Sequence, residues 1–156
     1  MKKEENHTMD AKQLWNVFSE HYPEHQSADY QAWSYGAAAD ELADLTVKGI
    51  KTATASAFEL YALENEPLPK AGEWNVILDD KGQAVCITQT TNVSVVPYNE
   101  VTPEHAFKEG EGDRSLAYWK EVHQDFFSKE YQAKGLEFNE TIPVVCEEFE
   151  MVFKAN

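Results

Sequence analysis

The stretch "WNVILDDKGQAVCITQTTNVSVV", residues 74–96, decides which kind of fold this chain can adopt. Its apolar side chains recur with a period of two, and its second half is rich in Thr and Val, which favour extended backbone. The polar run "DDKG" between the two halves is typical of a turn. We therefore predict a strand over residues 74–78, a turn, and a long strand over residues 84–96.

Helical patterns precede these strands. Asp10 with Gln13 three positions later has the spacing of a capping box, and we predict a first helix that Pro23 ends. A second helix is predicted from Ser27 to residue 48, because apolar residues recur there at roughly helical spacing and Gly49 supplies a stop signal. Gly36 is a weak point at which this helix could bend or split.

Further elements follow on both sides of the strands. The segment "AFELYALENE" is predicted to be a short helix, and Thr102 followed by Pro103 announces another that ends near Glu109. A strongly amphipathic helix follows the loop "GEGD" and ends near Gly135, and Pro143 opens a last strand.

This order of elements predicts the fold class. It shows no alternation of single strands and helices, which argues against a doubly wound parallel sheet. We predict an α+β fold: a small, bent, mainly antiparallel sheet or β-barrel with flanking helices. We expect residues 1–9 to be a flexible terminus and residues 10–156 to form one domain with additional N-terminal helices.

Composition excludes several classes of partner. The chain carries 13 Lys and Arg against 28 Asp and Glu, a formal charge of −15, and it has no basic cluster. Binding that neutralises many phosphates requires clustered basic residues, so a DNA coat or a polybasic membrane binder is not expected. A small, nearly neutral ligand, or one nucleotide in a local pocket, remains compatible with this charge.

Cysteine usage and the N-terminal segment indicate the compartment. Cys86 and Cys146 are far apart, show no metal-binding spacing and lie in apolar runs, so we predict two buried, reduced thiols. The segment "MKKEENHTM" has no apolar signal region, and no window of the sequence approaches a membrane span. The expectation is a cytoplasmic protein.

The stretch "GIKTATAS", residues 49–56, is the first candidate site. Small side chains around Lys51 leave room for another molecule, and Thr52, Thr54 and Ser56 offer hydroxyl groups. If the following helix begins at Ser56, its free N–H groups point back at the same place and favour an anion or a carbonyl oxygen. An equally physical interpretation is a solvated turn in which Thr54 or Ser56 only caps that helix.

The segments "EHAFKEGEGDRS", residues 104–115, and "YWKEVHQDFF", residues 118–127, hold the other candidates. Glu109, Glu111 and Asp113 crowd around two glycines, and crowded carboxylates suit acid–base chemistry or a hard cation. The alternative is a solvated acidic turn. Trp119 and His123 share one helix face, where a histidine is more often a core residue than a catalytic one. Nucleotide-binding glycine loops, the serine nucleophile elbow and the zinc-protease motif do not occur in the sequence.

Taken together, these motifs resemble a known family. The pattern G-x-K-x-x-T at residues 49–54 is similar to the signature of the ASCH domain, a branch of the PUA-like superfamily. The likeness extends in order through the segments "LPKAGEWNVILDD", "AVCITQTTNV", "EHAFKEGEGDRSLAYWKEVH" and "CEEFEMVF", and covers about residues 30–154. The resemblance implies a β-barrel with the signature lining a cleft, and a link to RNA or its nucleosides.

The resemblance also implies activities and residues. One branch of smaller family members hydrolyses the amide of N4-acetylcytidine, and another member is a ribonuclease. The hydrolase branch uses a lysine and a threonine of the signature and a glutamate in H-A-x-x-E, which correspond to Lys51, Thr54 and Glu109. That branch has an arginine where this chain has Ser56. The expected catalytic set is thus Lys51, Thr54 and Glu109, with ligand contacts from Gly49, Thr52, Ser56, Glu111 and Asp113.

Two functional hypotheses follow. The first is an amidohydrolase that acts on an acylated nucleoside such as N4-acetylcytidine. The second is a non-catalytic module that binds RNA or a nucleotide, or a ribonuclease. The net charge favours a small nucleoside-like ligand over a short RNA. Neither hypothesis requires a metal or a cofactor, and the sequence does not determine the oligomeric state.

Overall fold

A five-stranded sheet forms the centre of the computed structural model, which describes residues 9–155. Its strand order is β1-β3-β4-β5-β2, and only β1 and β3 pair in parallel among these five strands. The strands are β1 Tyr30–Ser34, β2 Ala53–Ala57, β3 Trp74–Leu78, β4 Ala84–Pro97 and β5 Pro143–Lys154. The predicted flexible terminus spans residues 1–9. All of these residues except Met9 lie outside the described range.

Five α-helices and two short 3-10 turns flank the sheet in the described range. The helices are α1 Ala11–His21, α2 Ala39–Val47, α3 Phe58–Leu63, α4 Pro103–Glu109 and α5 Leu116–Ala133. The 3-10 turns are Pro23–His25 and Tyr98–Glu100. None of the helices in residues 9–155 is long and apolar enough to cross a membrane.

The strands β4 and β5 form the longest ladder and give the sheet its curvature. Their register runs from Cys86 opposite Lys154 to Pro97 opposite Pro143, and it shifts twice along the way. Such shifts mark β-bulges, which bend a strand and increase its twist. The sheet therefore curls into a half-barrel, and the predicted α+β fold with a bent, mainly antiparallel sheet and flanking helices is confirmed.

Several local predictions are also confirmed. Asp10 and Gln13 form the predicted capping box at the start of α1. The two strands of residues 74–96 are present, the second one residue longer than predicted. Cys86 and Cys146 are buried and unpaired.

The predicted second helix is wrong over its first half. Residues 30–34 form β1, and α2 begins only at Ala39. The aromatic residues that suggested a helix instead make tertiary contacts: Tyr30 stacks on Trp15 of α1 at 4.6 Å between ring centroids, and Trp33 donates to Asn75 Oδ1 of β3 at 2.9 Å. These tertiary contacts, together with pairing to β3, outweigh the local helical pattern.

The core has three clusters of buried side chains. One packs α5 against β2 and β5 around Trp119, Phe127 and Val144. A second packs α1 on β3 and β4 through Leu14, Trp15 and Phe18. The third lies under α2. The clusters fix helices on opposite ends of the curled sheet, and they hold the segments that carry the candidate site.

Replacing Leu14 tests the packing of α1. Leu14 is 1% exposed, and we expect Leu14→Ala to lower the free energy of unfolding by about 2–5 kcal/mol through lost burial and a residual cavity. Leu63→Ala is the matched control, because Leu63 is 56% exposed on α3 and its truncation should change stability by less than about 0.5 kcal/mol. Denaturant unfolding measures both, and equal effects would contradict the docking of α1.

Candidate functional site

The helix α4 positions the first acidic group of the site. Thr102 caps the helix by accepting a hydrogen bond from the backbone N–H of His105 at 3.1 Å, and Gly110 ends it with a φ of 84°. Between these ends, His105 and Glu109 are four residues apart and lie on the same buried face. Local sequence thus aims both side chains at the interior.

Lys51 reaches the same place from the end of α2. Gly49 adopts a φ of 76°, and the backbone N–H groups of residues 50 and 51 both donate to the Leu45 carbonyl. The Lys51 side chain is almost fully buried. Its Nζ lies 3.2 Å from Glu109 Oε1 and 2.5 Å from Glu111 Oε2.

Glu109 is held by four hydrogen-bond donors or charged groups. His105 Nε2 and Trp119 Nε1 each lie 2.7 Å from its Oε2, and His123 Nε2 lies 3.6 Å from the same Oε1 that Lys51 contacts. With 2% of its surface exposed, the carboxylate has exchanged water for these partners.

The two carboxyl groups have opposite protonation tendencies. Burial acts to raise the pKa of Glu109, but the Lys51 charge and the contacts with His105 and His123 outweigh it and hold that pKa well below its usual value. Burial raises the pKa of Glu111, and the charge of Glu109 adds to this, although Lys51 opposes both effects. Glu109 is thus fixed as an anion, while Glu111 accepts a proton more readily.

The histidine geometry defines one proton position. His123 Nδ1 lies 2.9 Å from the Trp119 carbonyl, which can only accept, so Nδ1 carries a hydrogen. The Nε2 atom facing Glu109 then carries a second proton only when the ring is positively charged. The His123 ring stacks on Trp119 at 4.1 Å between centroids, and this fixes its orientation.

The loop after α4 is pinned in place by its glycines and by Arg114. A Cβ on Gly110 would lie 2.8 Å from the Ile50 carbonyl, and one on Gly112 would lie 2.5 Å from the Tyr118 ring. The Arg114 side chain donates to the carbonyls of Phe107 and Ile50. The loop therefore approaches Lys51 closely and presents Glu111 to it.

The signature residues beyond Lys51 lie on a strand, and the interpretation as a helix N-terminus is wrong. Thr54 and Ser56 belong to β2, antiparallel to β5, and α3 begins at Phe58 with no side-chain cap. Pairing with β5 supplies hydrogen-bond partners for the backbone N–H and C=O groups of this segment. The helix after Lys51 therefore begins two residues later than Ser56, and neither Thr54 nor Ser56 caps it.

Two adjoining cavities open beside the buried pair. The Lys51 cavity, of about 590 Å³, is bordered by Lys51, Glu109, Glu111 and His123. The Glu147 cavity, of about 840 Å³, lies next to it along β2 and is named for Glu147 of β5. Both cavities share a boundary formed by Tyr35, Gly36, Thr54, Ala55, Phe126 and Glu130.

The structure brings only some of the predicted site residues together. Lys51, Glu109 and Glu111 are in contact, Thr54 borders both cavities, and Ser56 borders the larger one. The other three do not border either cavity: Gly49 shapes the turn, Thr52 bonds to the Lys108 carbonyl, and exposed Asp113 accepts from the Ser115 backbone.

Sequence reasoning missed several participants. His105 was part of the quoted H-A-x-x-E string but carried no assigned role, although its spacing to Glu109 within a capped helix was the available signal. Tyr35 was assigned to a helix, yet its ring lies 5.3 Å from Lys51 Nζ. No sequence feature indicated a role for Glu147, because its position beside the cavity depends on the pairing of β5 with strands that are distant in sequence.

Glu109, Glu111 and His123 also have the arrangement of a possible metal site. One ligand atom from each lies within 4.8 Å of the others. However, the Lys51 ammonium already contacts both carboxylates, so a divalent cation would have to displace a buried positive charge. The donor set suits an ammonium group better than a metal.

Comparison with known proteins places this architecture in a family. Residues 31–153 match the family model of the ASCH domain. The chain belongs to the ASCH domain family. This confirms the resemblance of the signature and of the segments that follow it.

Solved structures extend the comparison. The ASCH domain from Lactobacillus crispatus JV V101 is 34% identical, with a TM-score of 0.79 over 90% of this chain and 95% of that one. The protein EF3133 from Enterococcus faecalis V583 is also 34% identical, with a TM-score of 0.80 over 93% and 91% of the two chains. The hypothetical protein PH0355, at 16% identity and a TM-score of 0.54 over 80% and 100%, shares the fold alone. No curated protein matches the chain.

Replacing Glu109 tests the electrostatics of the pair. Glu109→Gln leaves Lys51 with one carboxylate fewer, and we expect the free energy of unfolding to fall by about 3 kcal/mol at neutral pH. Because the pKa of Glu109 is lowered on folding, its contribution is present above about pH 4.3 and is lost as the pH falls through the folded value. The difference in the free energy of unfolding between wild type and Glu109→Gln should therefore become smaller below about pH 4.3.

Glu104→Gln is the control, because Glu104 lies exposed in the first turn of the same helix. Glu104→Gln should lower the free energy of unfolding by less than about 1 kcal/mol. Urea unfolding across pH measures all three proteins. A gap between wild type and Glu109→Gln that widens toward low pH would contradict the assigned protonation.

Proposed function

We propose that this ASCH domain hydrolyses the amide of a small acylated nucleoside or a related amide, using Lys51, Thr54 and Glu109. The observation that carries the proposal is the buried Lys51 ammonium, which touches two carboxylates and borders a cavity of about 590 Å³. A fixed positive charge that is itself almost fully buried stabilises negative charge that develops on a substrate oxygen beside it.

In the proposed reaction, water adds its oxygen to the amide carbonyl carbon and gives a proton to the Glu111 carboxylate. The Lys51 ammonium donates a hydrogen bond to the carbonyl oxygen as it becomes negative, and the Thr54 hydroxyl orients the amide. The C–N bond then breaks, and the leaving nitrogen takes the proton back from Glu111. The products are a carboxylic acid and an amine, so atoms and charge balance.

Glu109 has a different role from Glu111 in this scheme. The resemblance places it in the catalytic set, but the groups bound to it and its lowered pKa favour a permanent anion that holds Lys51 in place. Glu111 has the raised pKa and contacts the same ammonium, which suits a proton carrier. The pair thus divides positioning and proton transfer between two carboxylates.

The charge around the cavities supports a small ligand over a polynucleotide. Eight acidic residues border the two cavities, and in the described range only two lysines do: the buried, paired Lys51 and Lys129. A phosphate chain entering this region would meet net repulsion. A neutral acylated nucleoside would not.

The second candidate is a non-catalytic RNA- or nucleotide-binding module, which the fold family and Ser56 support. Ser56 stands where the hydrolase branch has an arginine, and its hydroxyl is within 2.7 Å of Tyr61 OH. Titration with short RNAs at several salt concentrations separates the two candidates. Binding with a steep salt dependence favours the second, and absence of binding at low salt counts against it.

Release of cytidine from N4-acetylcytidine by the purified protein tests the first candidate. We expect activity in wild type and a loss of about 100-fold or more in Lys51→Met, because the charge facing the developing oxyanion is removed. Thr54→Ala should also lower the rate of cytidine release, and it should disturb folding less than Lys51→Met does. Glu111→Gln should lower the rate of cytidine release by about 100-fold, because the proton carrier is lost.

Lys48→Met is the matched control, since Lys48 is exposed, three residues from Lys51, and paired only with Asp44 in the described range. It should retain wild-type activity. No cytidine release by wild type, or equal rates in Lys51→Met and Lys48→Met, would refute the hydrolase assignment.

A further inference from the structure

The Glu147 cavity is larger than the Lys51 cavity and has no role in the reaction described above. It holds about 840 Å³, enough for a group of ligand size. Thr54, on the boundary between the cavities, is the direct cross-strand partner of Glu147 in the β2–β5 ladder. Directly paired residues on adjacent strands place their side chains about 5 Å apart on one face, so this cavity adjoins the proposed reaction site.

A directed chain of hydrogen bonds ends on Glu147. Trp33 Nε1 donates to Asn75 Oδ1 at 2.9 Å, and Asn75 Nδ2 donates to Thr90 Oγ1 at 3.2 Å. The Thr90 hydroxyl then donates to Glu147 Oε2 at 2.7 Å. Every link points toward the carboxylate, so the chain holds Glu147 in one orientation as an acceptor.

One oxygen of this carboxylate is left for another partner. Glu147 is only 8% exposed, it borders the cavity, and its Oε1 makes no hydrogen bond to any residue in the described range. This oxygen is not itself fully buried, so water or a ligand in the cavity can supply its donor. Its position calls for a hydrogen-bond donor inside the cavity.

The charge of the lining sets the sign of that donor. Five glutamates border the cavity, and within residues 9–155 no Lys, Arg or His does: Glu64, Glu66, Glu73, Glu130 and Glu147. Lys134 approaches from outside and lies 3.4 Å from Glu64. Burial raises the pKa of Glu130, and Glu64 adds to this; burial likewise raises the pKa of Glu147, and Glu73 adds to it against the Thr90 bond. A bound positive charge would relieve this mutual repulsion.

Aromatic rings complete the lining. Trp33, Tyr35, Tyr61 and Phe126 all border the cavity. Ring faces attract organic cations through their quadrupoles, most strongly where water is excluded. Carboxylates combined with aromatic walls are a chemistry suited to ammonium and guanidinium groups rather than to phosphates or to hydrated metal ions.

We propose that the Glu147 cavity is a subsite for an organic cation, an ammonium or guanidinium group carried by the ligand whose amide lies at Lys51. The assignment of that amide rests on the proposed function; the cation subsite itself rests on the Glu147 cavity alone. Glu147 Oε1 accepts from the cation, and the rings of Trp33 and Tyr61 cover it. The preferred substrates are therefore small amides with a positive charge, and neutral N4-acetylcytidine represents only the part at Lys51.

Binding of n-butylguanidinium and of its neutral analogue n-butylurea to the whole protein tests this subsite. NMR titration gives both dissociation constants, and the indole N–H signal of Trp33 reports locally because Trp33 begins the chain to Glu147. We expect n-butylguanidinium to bind at least tenfold more tightly than n-butylurea and to shift that signal. Glu147→Gln, which can still accept from Thr90, should weaken guanidinium binding at least tenfold.

Glu150→Gln is the matched control, because Glu150 is exposed on the same strand. It should bind like wild type. Equal affinity for the two probes, no binding of either, or unchanged guanidinium binding in Glu147→Gln would overturn the subsite. Hydrolysis of N4-acetylcytidine is measured separately, so absent hydrolysis with intact guanidinium binding would refute the hydrolase proposal alone.

Discussion

A lysine ammonium buried between two carboxylates is the constraint on which this structure depends. Lys51 is 2% exposed and Glu109 equally so, and each charge lies in the interior against the opposite charge of the other. Their contact requires the end of α2, the end of α4 and the following loop to meet at one point. The helix α5 completes the arrangement with Trp119 and His123.

The curled sheet explains how this cluster can be buried and still border two cavities. The β2–β5 pairing places Thr54 of the signature opposite Glu147, and the two cavities lie on either side of that boundary. Small side chains in β2 leave the space, whereas bulky ones would fill it. The small residues around Lys51, the sequence feature that first suggested a site, thus belong to a cavity wall rather than to a turn.

Local signals predicted much of the fold. The capping box at Asp10, the alternation in residues 74–96 and the Thr102–Pro103 helix start all depend on neighbours in sequence, and all are present. β1 was missed because its aromatic residues have a spacing compatible with a helix, and pairing with the distant β3 determines their conformation. Contacts over such separations leave no local signature.

The candidate site likewise combines residues that the sequence identifies with residues that only the folded structure brings together. Lys51 and Glu109 followed from the family resemblance, and His105 could have been found from its helical spacing to Glu109. Glu147 and the chain that ends on it join four separate strands, and no spacing in the sequence predicts that meeting. Asp113 was grouped with Glu111 by proximity in sequence, but the loop turns it to solvent, where it accepts a bond from Ser115.

A double-mutant cycle between Lys51 and Glu109 tests the central claim most directly. The free energy of unfolding is measured for wild type, Lys51→Met, Glu109→Gln and the double variant. If the buried pair organises the site, each single change leaves the remaining charge with less compensation, and the double variant loses less stability than the sum of the two, with a coupling of about 1.5 kcal/mol or more. Additive effects, with a coupling near zero, would contradict the account.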